Sequence, residues 1–204
     1  MITGKQLRIF EAFAKHPFAE LTRNQIKKET KEKSNNALAL LVNQLKKECV
    51  LVEKKIGKSG LLSLDMNNEI SINYIAMASH LEKKANDVIN RLKEEITDVT
   101  PFFSMAVFGS YAANEQKKDS DLDIAVFIDS EDKKKKVEAA INSARLKLLV
   151  ETDIHVIPMA EMVEMLANGE ENLGKQIARK HIAVHNHRIF YDIVREGMKH
   201  GFHA

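Results

Sequence analysis

The sequence predicts an α+β protein built from two modules, and three observations carry that reading. Residues 4–48 hold three helical patterns in close succession, followed by two β-like runs joined by a glycine-bearing turn. From residue 103 onward, short apolar runs alternate with helical segments, the pattern of a small mixed sheet covered by helices. Charge is also divided. Residues 1–75 carry thirteen Lys/Arg against eight Asp/Glu, whereas the remainder carries eighteen against twenty-one. A basic front half joined to an acidic rear half suggests different partners for the two.

In the first module, Leu7, Phe10, Phe13 and Ala14 give helical spacing over residues 4–15, ended by His16-Pro17. Thr22 with Gln25 three residues on has capping-box spacing and starts a short helix through Thr30. Ser34 caps a third helix with the stripe Leu38, Leu41, Val42 and Leu45, ending near Glu48. Strand-like runs follow at residues 50–54 and 61–64, joined by the lysine-loaded stretch Lys55-Ile56-Gly57-Lys58-Ser59-Gly60. Residues 65–68 (Asp-Met-Asn-Asn) break the pattern and mark the expected domain boundary.

A long amphipathic helix is expected next. Tyr74, Met77, Ala78, Leu81, Ala85, Val88, Ile89, Leu92 and Ile96 recur at three- and four-residue steps over residues 72–97. Its apolar face packs on the sheet or, alternatively, on a second copy in a homodimer. Strands are expected at residues 103–108, 122–128 and 152–157, with a helix over 131–150 that packs through Val137, Ile141, Leu146 and Leu149. Helices at 159–167 and 173–180, an edge strand at 182–184 and a final helix from His187 through Lys199 complete the chain.

The chemistry concentrates in one segment. An apolar run ends in Gly109-Ser110, and Asp121-Leu122-Asp123 opens the next run. Residues i and i+2 of a strand share a face, so Asp121 and Asp123 present two carboxylates together. Such a pair repels itself unless a cation lies between, and oxygen-only ligation suits Mg²⁺ or Mn²⁺ with substrate phosphates. A Gly-Ser turn lets a phosphate chain approach backbone N–H groups.

Gly-Ser, a spacer, Asp-x-Asp and a later Asp on a strand resemble the nucleotidyltransferase superfamily that includes DNA polymerase beta, most closely its minimal members. Asp153, in Glu151-Thr152-Asp153-Ile154-His155, fits the third position. The resemblance implies metal-dependent transfer of a nucleoside monophosphate from an NTP, with ATP the first candidate, to a hydroxyl of a small molecule or partner protein. It casts Asp121, Asp123 and Asp153 as catalytic metal ligands and Gly109 and Ser110 as contacts to the β- and γ-phosphates. Minimal members commonly carry Arg-Gly shortly after the Gly-Ser segment, where this chain has Ala113-Asn114. Lys117 and Lys118 follow in the same loop, either as replacement charges or as a solvated pair. The departure favours an alternative, a DNA-binding transcriptional regulator whose nucleotidyltransferase domain only senses nucleotide.

The first module's order of three helices and a hairpin resembles a winged helix-turn-helix domain. That resemblance places the third helix in a DNA major groove, with Asn35, Asn36, Asn43 and Lys46 toward the bases and Lys54, Lys55 and Lys58 on phosphates. The fold class is then α+β: a winged helix-turn-helix over residues 1–68, and a small mixed β-sheet nucleotidyltransferase domain with flanking helices over 69–204. No stretch reaches the twenty or so apolar residues of a membrane span, and Met1-Ile2-Thr3-Gly4-Lys5 lacks a secretory core, so a cytoplasmic setting is expected. The single Cys49 lies among Leu45, Val50 and Leu51 and is expected to be a buried small hydrophobe. His181, His185, His187, His200 and His203 lack the cysteine or acidic partners of a zinc site. His155 shares its strand face with Asp153, as a core residue or one that orients substrate.

Overall fold

Helix signals at the N-terminus act where the sequence puts them. In the computed structural model the Thr3 hydroxyl accepts the Gln6 N–H while the Gln6 side chain returns to Thr3, a reciprocal cap that starts α1 (Gly4–Phe13). Thr22 and Gln25 repeat the device at α2 (Arg23–Thr30), and Ser34 caps α3 (Asn35–Lys47). The structure describes residues 2–203 except 15, 58, 80–82, 114, 116–119 and 149, and only the backbone of residues 59, 83 and 84. Lys58, Leu81, Lys117, Lys118 and Leu149 therefore lie outside the described residues, as does Asn114.

The chain divides into two units, Met1–Ser79 and His80–Ala204. In the first, β2 (Leu51–Ile56) and β3 (Ser59–Leu64) pair antiparallel from Leu51↔Leu64 to Ile56↔Ser59. A two-residue strand, β1 (Leu21–Thr22), adds to the far side of β3, giving the order β1-β3-β2. This strand is too short to leave an alternating signature in the sequence. Ile9, Phe10, Phe13, Ile26, Leu38, Val42, Leu45 and Leu62 are fully or almost fully buried in this unit.

The long helix expected over residues 72–97 is instead two helices, α4 (Glu69–Ala78) and α5 (Lys83–Thr97). Ser79 is extended at φ −78° and ψ 116°, and its hydroxyl donates back to the Ile75 carbonyl, closing α4. Helix α4 packs on α1 with Tyr74 edge-on to Phe10 at 4.9 Å. The boundary thus falls after Ser79 rather than at residues 65–68. One continuous periodicity hid two cores: Ile72, Ile75 and Ala78 belong to the first unit, whereas Ala85, Val88, Ile89, Leu92 and Ile96 pack on the second unit's sheet. Met77, counted in the stripe, is half exposed.

Cys49 is exposed, not buried. It occupies the left-handed turn after α3 at φ +55°, with Asn68 donating to its carbonyl, so the apolar neighbours face inward without it. On β2, Glu53 is only 14% exposed and accepts from Lys46 of α3 at 2.5 Å and Arg23 of α2 at 3.1 Å. The bond from Lys46, aided by the nearby Arg23 charge, outweighs burial and holds this carboxyl below the usual glutamate range. A depressed carboxyl stabilises the fold above its unfolded pKa, and that stability is lost as pH falls through the folded value. Glu53→Gln is expected to cost about 1–2 kcal/mol in urea unfolding at neutral pH, with the difference from wild type vanishing in acid.

The second unit holds a mixed four-stranded sheet. Strand β4 (Phe103–Val107) runs antiparallel to β5 (Leu122–Ile128) and to the edge strand β7 (Ile182–His185), and β5 runs parallel to β6 (Thr152–Pro158). A short helix, α6 (Gly109–Ala113), follows β4. Helix α7 (Lys134–Arg145) joins β5 to β6, and α8 (Met159–Ala167), α9 (Leu173–Arg179) and α10 (His187–Lys199) follow. Alternation decides the faces. Leu122, Ile124 and Val126 face α5 and α7, while Phe127 meets Phe190 of α10 at 5.3 Å. The apolar stripe of α5 is covered by its own sheet. Leu146, expected to pack, is 89% exposed because α7 ends at Arg145. Among the described residues no helix is long and apolar enough to cross a membrane.

Candidate active site

The parallel pairing of β5 with β6 sets Asp123 directly opposite Asp153, one step after Leu122↔Thr152. Asp121 precedes β5 by one residue and is exposed, whereas Asp123 is half-buried. Its carboxylate lies against the turn after β4. The Ser110 N–H donates to it, and the Phe108 N–H donates to the Asp123 carbonyl at 3.0 Å. Gly109 makes the approach feasible. Its φ is +63°, and a Cβ there would stand 1.9 Å from Asp123 Oδ2.

Burial pushes the Asp123 carboxyl above the ordinary aspartate range, and the charges of Asp153 and Asp121 push it the same way. Mutual repulsion of this kind marks three carboxylates gathered at one end of the sheet. The donor set is all oxygen and suits a hard divalent cation. In the present rotamers, however, no three His, Cys, Asp or Glu side chains among the described residues converge as a metal cluster. Asp123 is turned to the Ser110 N–H, and Asp153 Oδ2 is 3.2 Å from His155 Nε2. A cavity of about 440 Å³ opens beside Asp121 and is lined also by Arg145 and Glu151.

His181 and His185 serve packing, whereas His200 and His203 are exposed. His181 is fully buried, with Nδ1 at 3.1 Å from the Ile177 and Ala178 carbonyls. His185 lies tilted against Phe103 at 4.5 Å between ring centroids, and burial lowers its pKa to about 4. Two lysines of the run at the start of α7 are tied locally: Lys133 bonds Asp129, and Lys134 approaches Glu161 at 3.5 Å.

In the first unit, Asn36 and Asn43 on α3 and Lys55 on β2 are exposed. Asn35 accepts from Lys27 at 2.6 Å, Lys46 is held by Glu53, and Lys54 lies 3.8 Å from Glu20. Lys58 falls outside the described residues. The sequence places Lys46 toward the bases and does not show its pairing with Glu53, because that partner is seven positions away on a different element.

A glycine turn closed over a strand aspartate, with a second strand aspartate in register beside it on a mixed four-stranded sheet, is consistent with a nucleotidyltransferase domain. The chain belongs to the nucleotidyltransferase domain family, whose model matches residues 87–191, just over half its length. The match runs from within α5 to within α10, inside the second unit. No curated protein and no solved structure matches the chain in the comparisons made. Nucleotidyl transfer is the chemistry of this family, which typically uses an NTP and a divalent metal.

Proposed function

We propose that the second unit transfers a nucleoside monophosphate from an NTP, with ATP the first candidate, to a hydroxyl of a small molecule or partner protein. The in-register pairing of Asp123 with Asp153, beside the Gly109-Ser110 turn, carries this reading. Asp121, Asp123 and Asp153 would hold Mg²⁺ or Mn²⁺, which neutralises triphosphate charge when bound. Gly109 and Ser110 present the backbone against which the β- and γ-phosphates lie. Asp153, the more exposed of the paired carboxylates, completes the site and lowers the pKa of the acceptor hydroxyl, whose proton leaves either to this carboxylate or with the metal's help. The hydroxyl oxygen bonds to the α-phosphorus as the bond to the pyrophosphate oxygen breaks. Calorimetric titration of the full chain with ATP and Mg²⁺ is expected to show binding that chelation of the metal removes. No binding with either Mg²⁺ or Mn²⁺ would sink the reading.

For the first unit we read a winged helix-turn-helix that binds DNA in a cytoplasmic setting. Its support is the order of three helices and a hairpin, the exposed Asn36 and Asn43 on one helix, and the basic excess. Lys46 and Lys54 engage in internal ion pairs, so Lys47 and Lys55 are the better phosphate contacts. The second reading, a regulator that only senses nucleotide, is favoured by the unconverged carboxylates and by Ala113-Asn114. A gel shift on DNA from upstream of its own coding sequence, with and without ATP, separates the two. Lys47→Ala plus Lys55→Ala is expected to weaken binding by about tenfold and flatten its salt dependence. Tight binding without any transfer activity would favour the regulator.

A further inference from the structure

We propose that His155 is a positioning residue for Asp153, holding one carboxylate oxygen so that the other is committed to the cation. The inference rests on the metal-dependent reading above. Asp153 and His155 are two apart on β6 and share a face, and Nε2 of the imidazole lies 3.2 Å from Oδ2. An ionised carboxylate only accepts, so Nε2 carries the proton and donates. The ring is itself braced: Phe108, buried and next to Gly109, lies 5.8 Å from it at a tilt. The imidazole also opposes the burial and repulsion that raise the Asp123 carboxyl, which puts it within electrostatic reach of that group too. His155 therefore touches or influences each of the three segments that build the site.

Physical need supports the role. The Asp153 side chain is 58% exposed and would otherwise turn freely. Fixing Oδ2 leaves Oδ1 as the remaining ligand atom on the side chain paired with Asp123. Hydrogen-bond partners of metal-ligating carboxylates commonly matter ten- to a hundredfold for metal affinity. A bare exposed ion pair, by contrast, would matter little to metal affinity.

Mn²⁺ binding to the full chain, followed by electron paramagnetic resonance with a non-hydrolysable ATP analogue, tests this without an acceptor. His155→Phe keeps a ring on Phe108 but removes the donor, and is expected to weaken Mn²⁺ binding about tenfold. His155→Gln keeps a donor at similar reach and should stay within about threefold of wild type. His155→Ala replaces the phenylalanine variant should that one fail to fold. Mn²⁺ affinity in His155→Phe equal to or tighter than wild type would overturn the proposal, as would glutamine behaving like phenylalanine. Wild-type protein that binds no Mn²⁺ with the analogue would instead overturn the metal-dependent reading itself, and this inference with it.

Discussion

Replacing Asp123 with asparagine is expected to remove nucleotidyl transfer while leaving the fold intact and more heat-stable at neutral pH. Activity should fall roughly a thousandfold or more, because several kcal/mol of charge stabilisation depend on a carboxylate there. Stability moves the other way. Burial, Asp153 and Asp121 all disfavour the charged form of Asp123 in the folded chain. For an acid whose folded pKa is raised, the folded state binds more protons, so stability declines as pH rises from the unfolded toward the folded value. Above that window the penalty is fully present, and asparagine removes it while its amide oxygen can still accept the Ser110 N–H. Melting curves should place the variant above wild type at neutral pH, with the gap closing in acid. Transfer is checked with α-phosphate-labelled ATP, Mg²⁺ and a cell extract as acceptor source. A variant that keeps wild-type transfer would refute the assignment of Asp123. A variant that melts well below wild type would refute the electrostatic account.

Polar groups that interrupt apolar runs are the parts of this molecule that the sequence announces. Gly109-Ser110, Asp121, Asp123 and Asp153 were legible because each sits at a strand end, where a polar residue interrupts an apolar run. Caps were equally legible, since Thr22 with Gln25 is a local, three-residue device. What failed was non-local. The stripe from Tyr74 to Ile96 looked like one helix because helical periodicity does not record which core each residue enters. The partnership of Glu53 with Arg23 and Lys46 spans three elements and leaves no spacing signature. Cys49 has apolar neighbours in sequence, yet a left-handed turn points it outward. The His155 contact lay between these cases: strand alternation placed it beside Asp153, but only the register and the Phe108 ring show it as braced.

Gly109→Ala should produce the largest stability loss of any single methyl added to this chain's left-handed glycines. Two of them provide the comparison. Gly57 has φ +59° with nothing within 4 Å of an added Cβ, whereas Gly109 has φ +63° with Asp123 Oδ2 at 1.9 Å. Gly57→Ala therefore costs only left-handed strain, about 1–2 kcal/mol. Gly109→Ala carries the same strain and must also expel the Asp123 carboxylate, losing its bond from Ser110, for about 2–4 kcal/mol in all. Expulsion also shifts the carboxylate that pairs with Asp153, so transfer should be lost as well. A double-mutant cycle isolates the cause. In an Asp123→Ala background the clashing atom is gone, and Gly109→Ala should fall back to the cost seen at Gly57. Urea unfolding of the four proteins measures this directly. Additive losses would mean that Gly109 serves only its own backbone conformation, and that the closeness of turn and carboxylate is incidental to the site.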